Sequence, residues 1–483
     1  MENTSQQSKD SRLTRLIAQG DGVRLRSILS TTMRLSLPSI MAQLAVTAME
    51  YIDATMVGHL GADAAASIGL VATTTWLFMG LCSAAAMGFA VQVAHLLGAR
   101  KINRAKSITR QSYIVTLIYS VIVALIGIGI SPSLPTWLGG TEAINPNASR
   151  YFLIFALSIP VMQCNFLTNG LLRSSGNMFL PGMLGIVMCV LDVIFNFFLI
   201  FPTRYLSIFG LTMLMPGFGF GVWGAALGTA IAEFVVTVVL LTYLWWGKSD
   251  LKLAGAKSDF KPNFSTVKKA FKIGFPMGVE RFINSTAQIT LTIIVAPLGA
   301  AAIAANAFAI TIEGLCYMPG YGIADAATTL TGQSLGAHKY KLANRFAWAT
   351  TWFGVIIMGV MGIFIYFASP ILIGIMTDDS RILDLGVMAL RIEAWAEPMY
   401  AASIVAYGVC VGAGDTLWPS VMNLGSMWGV RITLAAILAP IMGLKGVWIA
   451  MCVELCFRGL IFLIRLKSDK WIKTFKNHQT VAV

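Results

Sequence analysis

The chain has 483 residues, of which 57% are hydrophobic and only 12% are charged, and its mean hydropathy is +0.74. A soluble domain carries about 25% charged residues, so this composition excludes a soluble globular protein. The formal net charge of +13 does not indicate nucleic-acid binding, because the basic residues are spread over loop ends. Membrane topology and contact with anionic lipid head groups explain that charge, and no nucleic-acid partner is expected.

The predicted elements are membrane-spanning helices, since the apolar stretches approach the about 20 residues that a helix needs to cross a bilayer. We predict an all-α polytopic membrane protein with about twelve transmembrane helices in two six-helix lobes. A polar cytoplasmic leader (1–30) without a signal-peptide core precedes the N-lobe (31–247), and a cytoplasmic linker (248–267) precedes the C-lobe (268–466) and a cytoplasmic tail (467–483). The predicted helix centres lie near Val46, Met79, Tyr119, Leu157, Val190, Ala232, Gln288, Ile310, Ile357, Ala401, Thr433 and Val453.

The sequence repeats itself at an offset of 238 residues, the separation of Gly176 from Gly414. The same offset matches Pro38 with Pro276, Gly61 with Gly299, Gly98-Ala99 with Gly336-Ala337, and Pro181 with Pro419. Glycine and proline set backbone geometry, so matches at these residues indicate a duplicated helical unit. Such duplication is typical of transporters, which move two related halves around a central cavity.

Charge orients the predicted helices. Lys and Arg gather before the first span, between the second and third, between the sixth and seventh, after the eighth, and in the tail. The loops Gly58–Asp63 and Pro297–Ala301 have no Lys or Arg. By the positive-inside rule, both termini and the linker are expected on the cytoplasmic side of a plasma (inner) membrane.

No catalytic or cofactor-binding pattern is visible. The seven cysteines fall within predicted spans without metal-ligand spacing, and the four histidines are scattered without an HExxH arrangement. The sequence therefore predicts a protein that is not an enzyme, with no cofactor and no metal site beyond a possible Na⁺.

Acidic residues inside the spans carry the chemistry. A charge at the bilayer centre costs at least ~2.5–3.5 kcal/mol, so such acids normally face a wet cavity, a partner or a transported ion. The N-lobe residues are Gln43, Glu50 and Asp53 in the first span, Asp192 and Asn196 in the fifth, and Thr229 and Glu233 in the sixth. A carboxylate among neutral oxygens can bind Na⁺ or, when desolvated, hold a proton. The alternative for each acid is a helix-end charge that reaches water, or a satisfied interhelical hydrogen bond.

The second half carries its polar residues at different places. They are Glu280, Asn284 and Gln288 on one face of the seventh span, Asn306 and Glu313 in the eighth, and Arg391, Glu393 and Glu397 in the tenth. The offset of 238 carries Asp53 to Leu291 and Asp192 to Val430, so the halves share a fold but have separate electrostatics. Arg281 and Arg391 are available to neutralise Glu393 or Glu397, which leaves a structural ion pair as an alternative there.

Several motifs together resemble the multidrug and toxic compound extrusion (MATE) family over nearly all of the chain after the leader. They are Leu37-Pro38 followed by the segment from Tyr51 to Gly61, Asn169 to Gly176, Gly332 to Ala337, and Gly412 to Thr416. The resemblance implies two six-helix lobes around a V-shaped cavity. It also implies a monomeric secondary antiporter that exports amphipathic organic cations and drugs in exchange for Na⁺ or H⁺.

Carried over by position, the family's N-lobe cation site falls on Asp53, Asn169, Asp192, Asn196 and Thr229. In some members the fifth span has an Asn four residues before an Asp, whereas here the order is reversed. This reversal moves the carboxylate by one helical turn, about 5–6 Å, and leaves Na⁺ and H⁺ both open as the coupling ion.

The C-lobe acids of another family branch fall on Asn284 and Tyr400 in this chain. Glu280 and Glu397 each lie about one turn away, so the resemblance implies a C-lobe cation centre built on these two acids.

Other classes of function remain open at this stage. A flippase for lipid-linked precursors would need a cationic cavity for phosphate, whereas the intramembrane charge here is largely acidic. An integral-membrane enzyme would need a catalytic cluster, and a channel would need no exchanged ion. Aromatic residues such as Trp76 and Tyr400 can stack on organic cations, or can pack against membrane lipids.

Overall fold

The computed structural model describes residues 12–208, 211–247, 249–254 and 260–480. Residues 1–11 of the predicted leader, 255–259 of the predicted linker and 481–483 of the predicted tail lie outside the described residues. The described chain is a helical bundle with one β-hairpin.

The described part of the first half contains eight α-helices and the hairpin. The helices are α1 (Arg12–Gln19), α2 (Leu25–Gly58), α3 (Ala62–Gly98), α4 (Ile102–Ile130), α5 (Leu134–Trp137), α6 (Asn145–Ser174), α7 (Phe179–Ile200) and α8 (Val222–Trp246). The strands β1 (Pro202–Ile208) and β2 (Leu211–Phe218) pair antiparallel between α7 and α8.

The second half repeats the long helices in the same order. They are α9 (Phe264–Val295), α10 (Ala300–Gly336), α11 (Tyr340–Gly374), α12 (Ser380–Glu393), α13 (Glu397–Gly412), α14 (Leu417–Ser426), α15 (Thr433–Met442), α16 (Leu444–Lys467) and α17 (Lys470–Thr480). A π-helical segment, Met427–Ile432, joins α14 to α15 into one rod.

Ten of the described helical rods are long and apolar enough to cross a membrane. The prediction of an all-α polytopic membrane fold is therefore confirmed, with the hairpin as a small addition that sequence analysis missed. Two further rods complete the predicted twelve. One is α9, which carries a polar stripe. The other is the tenth, which breaks between α12 and α13 because Pro398, the second residue of α13, has no backbone N–H to continue the helix.

The two halves meet where α3 crosses α10. A Cβ atom on Gly98 would overlap the Gln333 carbonyl, and one on Gly336 would overlap the His95 carbonyl. Gly98 and Gly336 are matched by the offset of 238, so the two repeats contribute the same small residue to one close helix crossing. The loops after these helices carry Arg100, Lys101 and Lys339, and Lys341 follows at the start of α11; we call this end of the bundle the basic face.

Both terminal helices pack at the basic face. From α1, Leu13, Leu16 and Ile17 are buried against Leu330 and Phe346 of the second half. From α17, Trp471 and Phe475 are buried in a cluster with α10, α11 and α13. The Phe475 ring also lies edge-on to His95 of α3, with the ring centroids 4.8 Å apart. Segments outside the long rods therefore cover the junction between the halves.

Candidate functional site

A cavity of about 840 Å³ lies between the two halves and is lined by both. Its volume is in the range of pockets that hold drug-sized ligands. Its polar wall includes Gln43, Glu50, Asp53, Asn169, Arg173, Thr229 and Glu233 from the first half, and Glu280, Arg281, Asn284, Asp325, Tyr400, Tyr407, Asn423 and Arg458 from the second.

At the edge of this cavity, Asp53 is hydrogen-bonded to a side chain of α7, the fifth predicted span. The Asn196 side-chain amide donates to the Asp53 carboxylate at 2.7 Å and to the Asp192 carboxylate at 3.0 Å. Asp192 and Asn196 are fully buried behind the wall, and the Asp53 and Asp192 carboxyl groups lie close enough to share a hydrogen bond. Two adjacent carboxyl groups repel each other when both are ionised, so the pair favours a proton or a cation between them.

Oxygen atoms without hydrogen-bond donors surround this pair. Among the described residues, Asp192 Oδ1, Asn196 Oδ1 and Asn169 Oδ1 are buried and accept no hydrogen bond. Thr229 lies beside Asp192, and its hydroxyl donates to the Ala225 carbonyl at 3.2 Å, which leaves the oxygen lone pairs available. Buried polar atoms are normally satisfied, and oxygen is the ligand that hard cations prefer.

The five residues predicted for the N-lobe site thus fall in one region, although Asn169 is tied to a neighbouring network. Its side-chain amide donates to Asn165 Oδ1 at 2.6 Å, and Asn165 donates to Thr237 at 3.0 Å. Gln43, Glu50 and Glu233 also line the cavity. The sequence analysis therefore named all three first-half acids of the cavity wall, whereas Asn165 and Arg173 on the same wall were not predicted.

Glu280 lies in a network of neutral donors in the second half. Its carboxylate accepts hydrogen bonds from Tyr407 at 2.9 Å, Ser420 at 2.6 Å and Asn423 at 2.7 Å. Glu397 is not among the hydrogen-bond donors of Glu280, and it does not line the cavity. A C-lobe cation centre built on these two acids stays a prediction. Sequence reasoning missed the three donors because they come from α13 and α14, well over 100 residues away.

Glu397 belongs to a second, largely buried cluster at the break between α12 and α13. Its members are the acids Glu313, Glu393, Glu397 and Glu454 and the guanidinium groups of Arg431 and Arg458. Among the described residues, both carboxylate oxygens of Glu393 and of Glu397 are buried without a hydrogen-bond donor of normal geometry, although the weakly donating Cys316 thiol lies next to Glu397. Four acids face two cations here, so the cluster needs protons or cations to balance its charge.

The other predicted residues lie either on the cavity wall or on the outer surface of the protein. Asn284 and Tyr400 line the cavity, whereas Gln288 is exposed elsewhere on α9. Arg391 does not pair with the acids; its side chain lies over the Tyr366 ring and donates to the Tyr366 carbonyl at 3.4 Å. The arginine near Glu393 is Arg431, whereas the sequence analysis expected Arg391 or Arg281.

An ion pair joins the two halves at the cavity wall. Arg173 of α6 contacts Asp325 of α10 at 2.5 Å, and Ser39 of α2 donates to the same carboxylate at 2.8 Å. Closer to the basic face, Gln333 donates to the Ser174 carbonyl at 2.6 Å. Sequence analysis did not single out this pair, and no local spacing could have done so.

The geometry of two repeated helical units around a shared acidic cavity has counterparts among known proteins. The family model described as MatE matches the chain twice, at residues 38–198 and 276–437. The two matches begin at Pro38 and Pro276, the same offset that the glycine and proline pattern gives. The chain belongs to the MATE family. It is accordingly a membrane transporter and not an enzyme.

Relatives and solved structures of MATE proteins cover nearly the whole chain. A "Probable multidrug resistance protein NorM" from Thermotoga maritima is 27% identical over 454 residues, covering 91% of this chain and 92% of the relative. The protein of the same name from Idiomarina loihiensis is 26% identical, covering 90% and 93%.

Two solved structures share the fold. The structure titled "Outward-facing conformation of a multidrug resistance MATE family transporter of the MOP superfamily" aligns with a TM-score of 0.85 at 19% identity, covering 97% of this chain and 99% of that one. A MOP-superfamily transporter from Pyrococcus furiosus, described as having a binding pocket of reverse polarity, gives 0.85 at 19% identity and covers 96% and 99%. At this identity the likeness shows the fold alone.

Proposed function

We propose that this MATE transporter is a secondary active antiporter that exports amphipathic organic cations, including drugs, in exchange for Na⁺ or H⁺. The observation that carries the proposal is the Asp53–Asn196–Asp192 set, which joins a drug-sized cavity to buried oxygens without donors. A carboxylate on the wall can bind the exported cation in one state and the entering ion in another, which is the requirement for exchange. The names of the NorM relatives support a role in multidrug resistance.

Wall charge favours cations over the phosphate of a lipid-linked precursor. Five acids and three guanidinium groups line the cavity. Of those three, Arg173 is paired with Asp325, and Arg458 with Glu454 at 2.6 Å. A flippase cavity needs several free cations to bind a diphosphate, so the polarity supports the antiporter reading.

The location of cross-half contacts supports alternating access. Hydrogen bonds between the halves, such as Gln333 to Ser174 and His95 to the Gly412 carbonyl at 2.7 Å, lie on the basic-face side of the cavity. If the basic face is cytoplasmic, as the positive-inside rule predicts for an inner-membrane protein, this state is closed to the cytoplasm.

The test is transport of ethidium by purified protein in proteoliposomes, with Na⁺ and H⁺ gradients imposed separately. The proposal expects one of the two gradients to drive ethidium uphill and its dissipation to stop transport. Equal ethidium movement with and without either gradient would argue for a passive pathway. Failure of ethidium and related dyes to move, combined with gradient-independent scrambling of a labelled lipid-linked diphosphate, would favour the flippase.

The membrane topology is tested separately, in cells that express the transporter. A cysteine replacing Lys470 is expected to react with a membrane-impermeant maleimide only after the cells are opened. Full labelling in intact cells would place the basic face outside.

A further inference from the structure

The N-terminal helix α1 lies across the junction of the two halves at the basic face. Its apolar residues Leu13, Leu16 and Ile17 recur at helical spacing and are all buried. Arg15 and Ala18 of the same helix are exposed. The helix is therefore amphipathic, and its apolar face packs against the rest of the protein.

Both halves build the surface that receives α1. This surface, which we call the α1 seat, consists of Gly176, Met178, Ala326, Leu330, Leu342 and Phe346. On the side of the first half, a Cβ atom on Gly176 in the α6–α7 loop would lie 3.3 Å from Leu13 Cδ2. On the side of the second half, Leu330 of α10 and Phe346 of α11 belong to the same buried cluster as Leu13. A helix that is seated on two bodies opposes their separation, because separation exposes apolar surface to water.

The α1 seat lies beside hydrogen bonds that cross the junction. Thr329 of α10 donates to the Arg173 carbonyl at 3.1 Å, and Gln333, one turn further along α10, donates to the Ser174 carbonyl at 2.6 Å. Gly176 of the seat follows Ser174 by two residues. The end of α6 has to leave α10 when the basic face opens, and α1 covers this line of separation.

A short turn with glycine at both ends joins α1 to α2. Gly20 of this 3₁₀ turn, Gly20–Gly22, has a φ of +63°, a conformation that glycine adopts without strain. A Cβ atom on Gly20 would lie 3.3 Å from Lys339 Nζ, so the turn also touches the second half. The chain therefore fixes α1 to the first half, whereas only noncovalent packing holds it on the second.

The short length of α1 makes its helical structure depend on the seat. The helix has 8 residues, and isolated helices shorter than about 12–15 residues are marginal in water. Burial of the apolar face stabilises α1 when it is docked. Its release is a local opening of the kind that the less stable parts of a protein undergo without global unfolding.

We propose that α1 is a strap that holds the basic face closed and leaves the second half before this face opens. The inference rests on the alternating access of the proposed function and adds how the closed state is held. It does not depend on what the cavity binds. Weakening the contact between α1 and its seat shifts the protein toward the state that is open at the basic face. The opposite end of the bundle closes in that state, because the two halves move as bodies.

Pulsed electron–electron double resonance on the purified, full-length transporter measures this shift. Spin-labelled cysteines replace Lys101 and Lys341 at the basic face in one sample. In a second sample they replace Asp63 and Ala300, at the opposite ends of α3 and α10. All four positions are exposed, and the seven native cysteines are replaced by alanine.

Ile17→Asp places a charge on the apolar seat. We expect the ratio of molecules open at the basic face to molecules closed there to rise at least about 10-fold, the equilibrium factor that corresponds to full burial of one large aliphatic side chain. The distance between the labels at the opposite end should shorten in the same variant.

Three further variants make the result interpretable. Ala18→Asp adds the same charge on the exposed side of α1 and is expected to leave both distances unchanged. Ile17→Ala removes buried apolar surface without adding a charge, so both distances should shift in the same direction but by less. This variant provides the test if Ile17→Asp gives no folded protein. Asp325→Asn breaks the ion pair with Arg173 and serves as the positive control for opening.

The outcomes separate the strap from the proposed function. Distances that move in Asp325→Asn but in neither Ile17 variant overturn the strap and leave alternating access standing. A longer distance at the basic face without a shorter one at the opposite end is local loosening and also overturns the strap, as do equal shifts in Ala18→Asp and Ile17→Asp. If no variant moves either distance, the strap and the proposed alternating access are both contradicted.

Discussion

The Asn196 amide donates to Asp53 at 2.7 Å while it also donates to Asp192, so one side chain holds two carboxyl groups together. Asp53 is on the cavity wall and Asp192 is fully buried. This arrangement gives a path from the cavity to an internal oxygen site through a single residue. The fifth predicted span has the reversed Asp–Asn order, yet both carboxyl groups still meet at one amide. Asp53 accepts a hydrogen bond from the Asn196 amide, and Asp192 lies one helical turn from Asn196 and is buried. The proposed cation site is compatible with the reversed order for this reason.

Replacing Asn196 by Leu should leave the two carboxyl groups without their common donor. We expect the variant to lose about 1.5–3 kcal/mol of stability, the usual size of a hydrogen bond to a charged group. Stabilisation by the coupling ion should disappear with it, because ligand binding to the folded state raises the melting temperature. Thermal unfolding in detergent, with and without Na⁺ and over a range of pH, measures both effects. Asn103→Leu, at an exposed position on the basic face, is the control, and an unaltered ion response in Asn196→Leu would count against this assignment.

The Arg173–Asp325 pair should hold the basic face closed. Asp325→Asn removes the ion pair and leaves a weaker hydrogen bond, which at about 1–3 kcal/mol moves the conformational equilibrium by roughly 5- to 150-fold. The readout is the labelling rate of a cysteine at Ser334, which is buried near the basic face, in a background whose seven native cysteines are replaced by alanine. Labelling should accelerate in Asp325→Asn. Arg204→Gln changes an arginine at the hairpin and should not accelerate it; equal rates in all three proteins would show that the pair does not control closure.

The crossing of α3 and α10 should tolerate nothing larger than glycine. Gly336→Ala pushes a methyl group into the His95 backbone, so we expect poor insertion or a large loss of stability. Gly129→Ala, in the last turn of α4 with open space around it, should be neutral or slightly stabilising because alanine is the better helix former. Yield of folded protein by size-exclusion chromatography separates the two, and similar yields would contradict the close crossing.

The internal acids of the second half should depend on their two guanidinium groups. Arg431→Gln leaves four acids with one cation, and removing one partner from a buried charge cluster typically costs about 3–5 kcal/mol. Adding Glu393→Gln to the Arg431→Gln variant should restore much of that loss, because it removes an acid whose charge Arg431 offsets. Melting temperatures of the two single variants and the double variant form the test. Additive losses would show that these residues act independently.

The fold was predictable because its determinants are local. Apolar length predicted the spans, and the repeated pair Gly98 and Gly336 marked the crossing of the two halves. The topology that the basic loops indicate stays a prediction. The hairpin was missed because its two short strands follow a long apolar helix and lie among proline and glycine residues. The break in the tenth rod had a local signal, Pro398, that hydropathy alone did not reveal.

The site was predictable only where its residues share a helix or a family motif. Asp192 and Asn196 are one turn apart, and Asp53 lies in the family's first-span motif, so their proximity was anticipated. Contacts between helices that are far apart in the sequence could not be predicted from residue spacing. The donors of Glu280 and the Arg173–Asp325 pair are of this kind.

The central claim is that Asp53 couples ion entry to export, and the most direct measurement of it is gradient-driven ethidium efflux by Asp53→Asn protein in proteoliposomes. Asparagine keeps the shape and can still contact Asn196, so folding and membrane insertion should survive, while the ionisable charge that exchanges ion for cargo is gone. Uphill efflux should fall to the level of protein-free vesicles, whereas Glu233→Gln, which alters a second wall acid, should reduce it less. Uphill efflux by Asp53→Asn at the parental rate, with equal protein in the membrane, would contradict the account and place coupling in the internal acids of the second half.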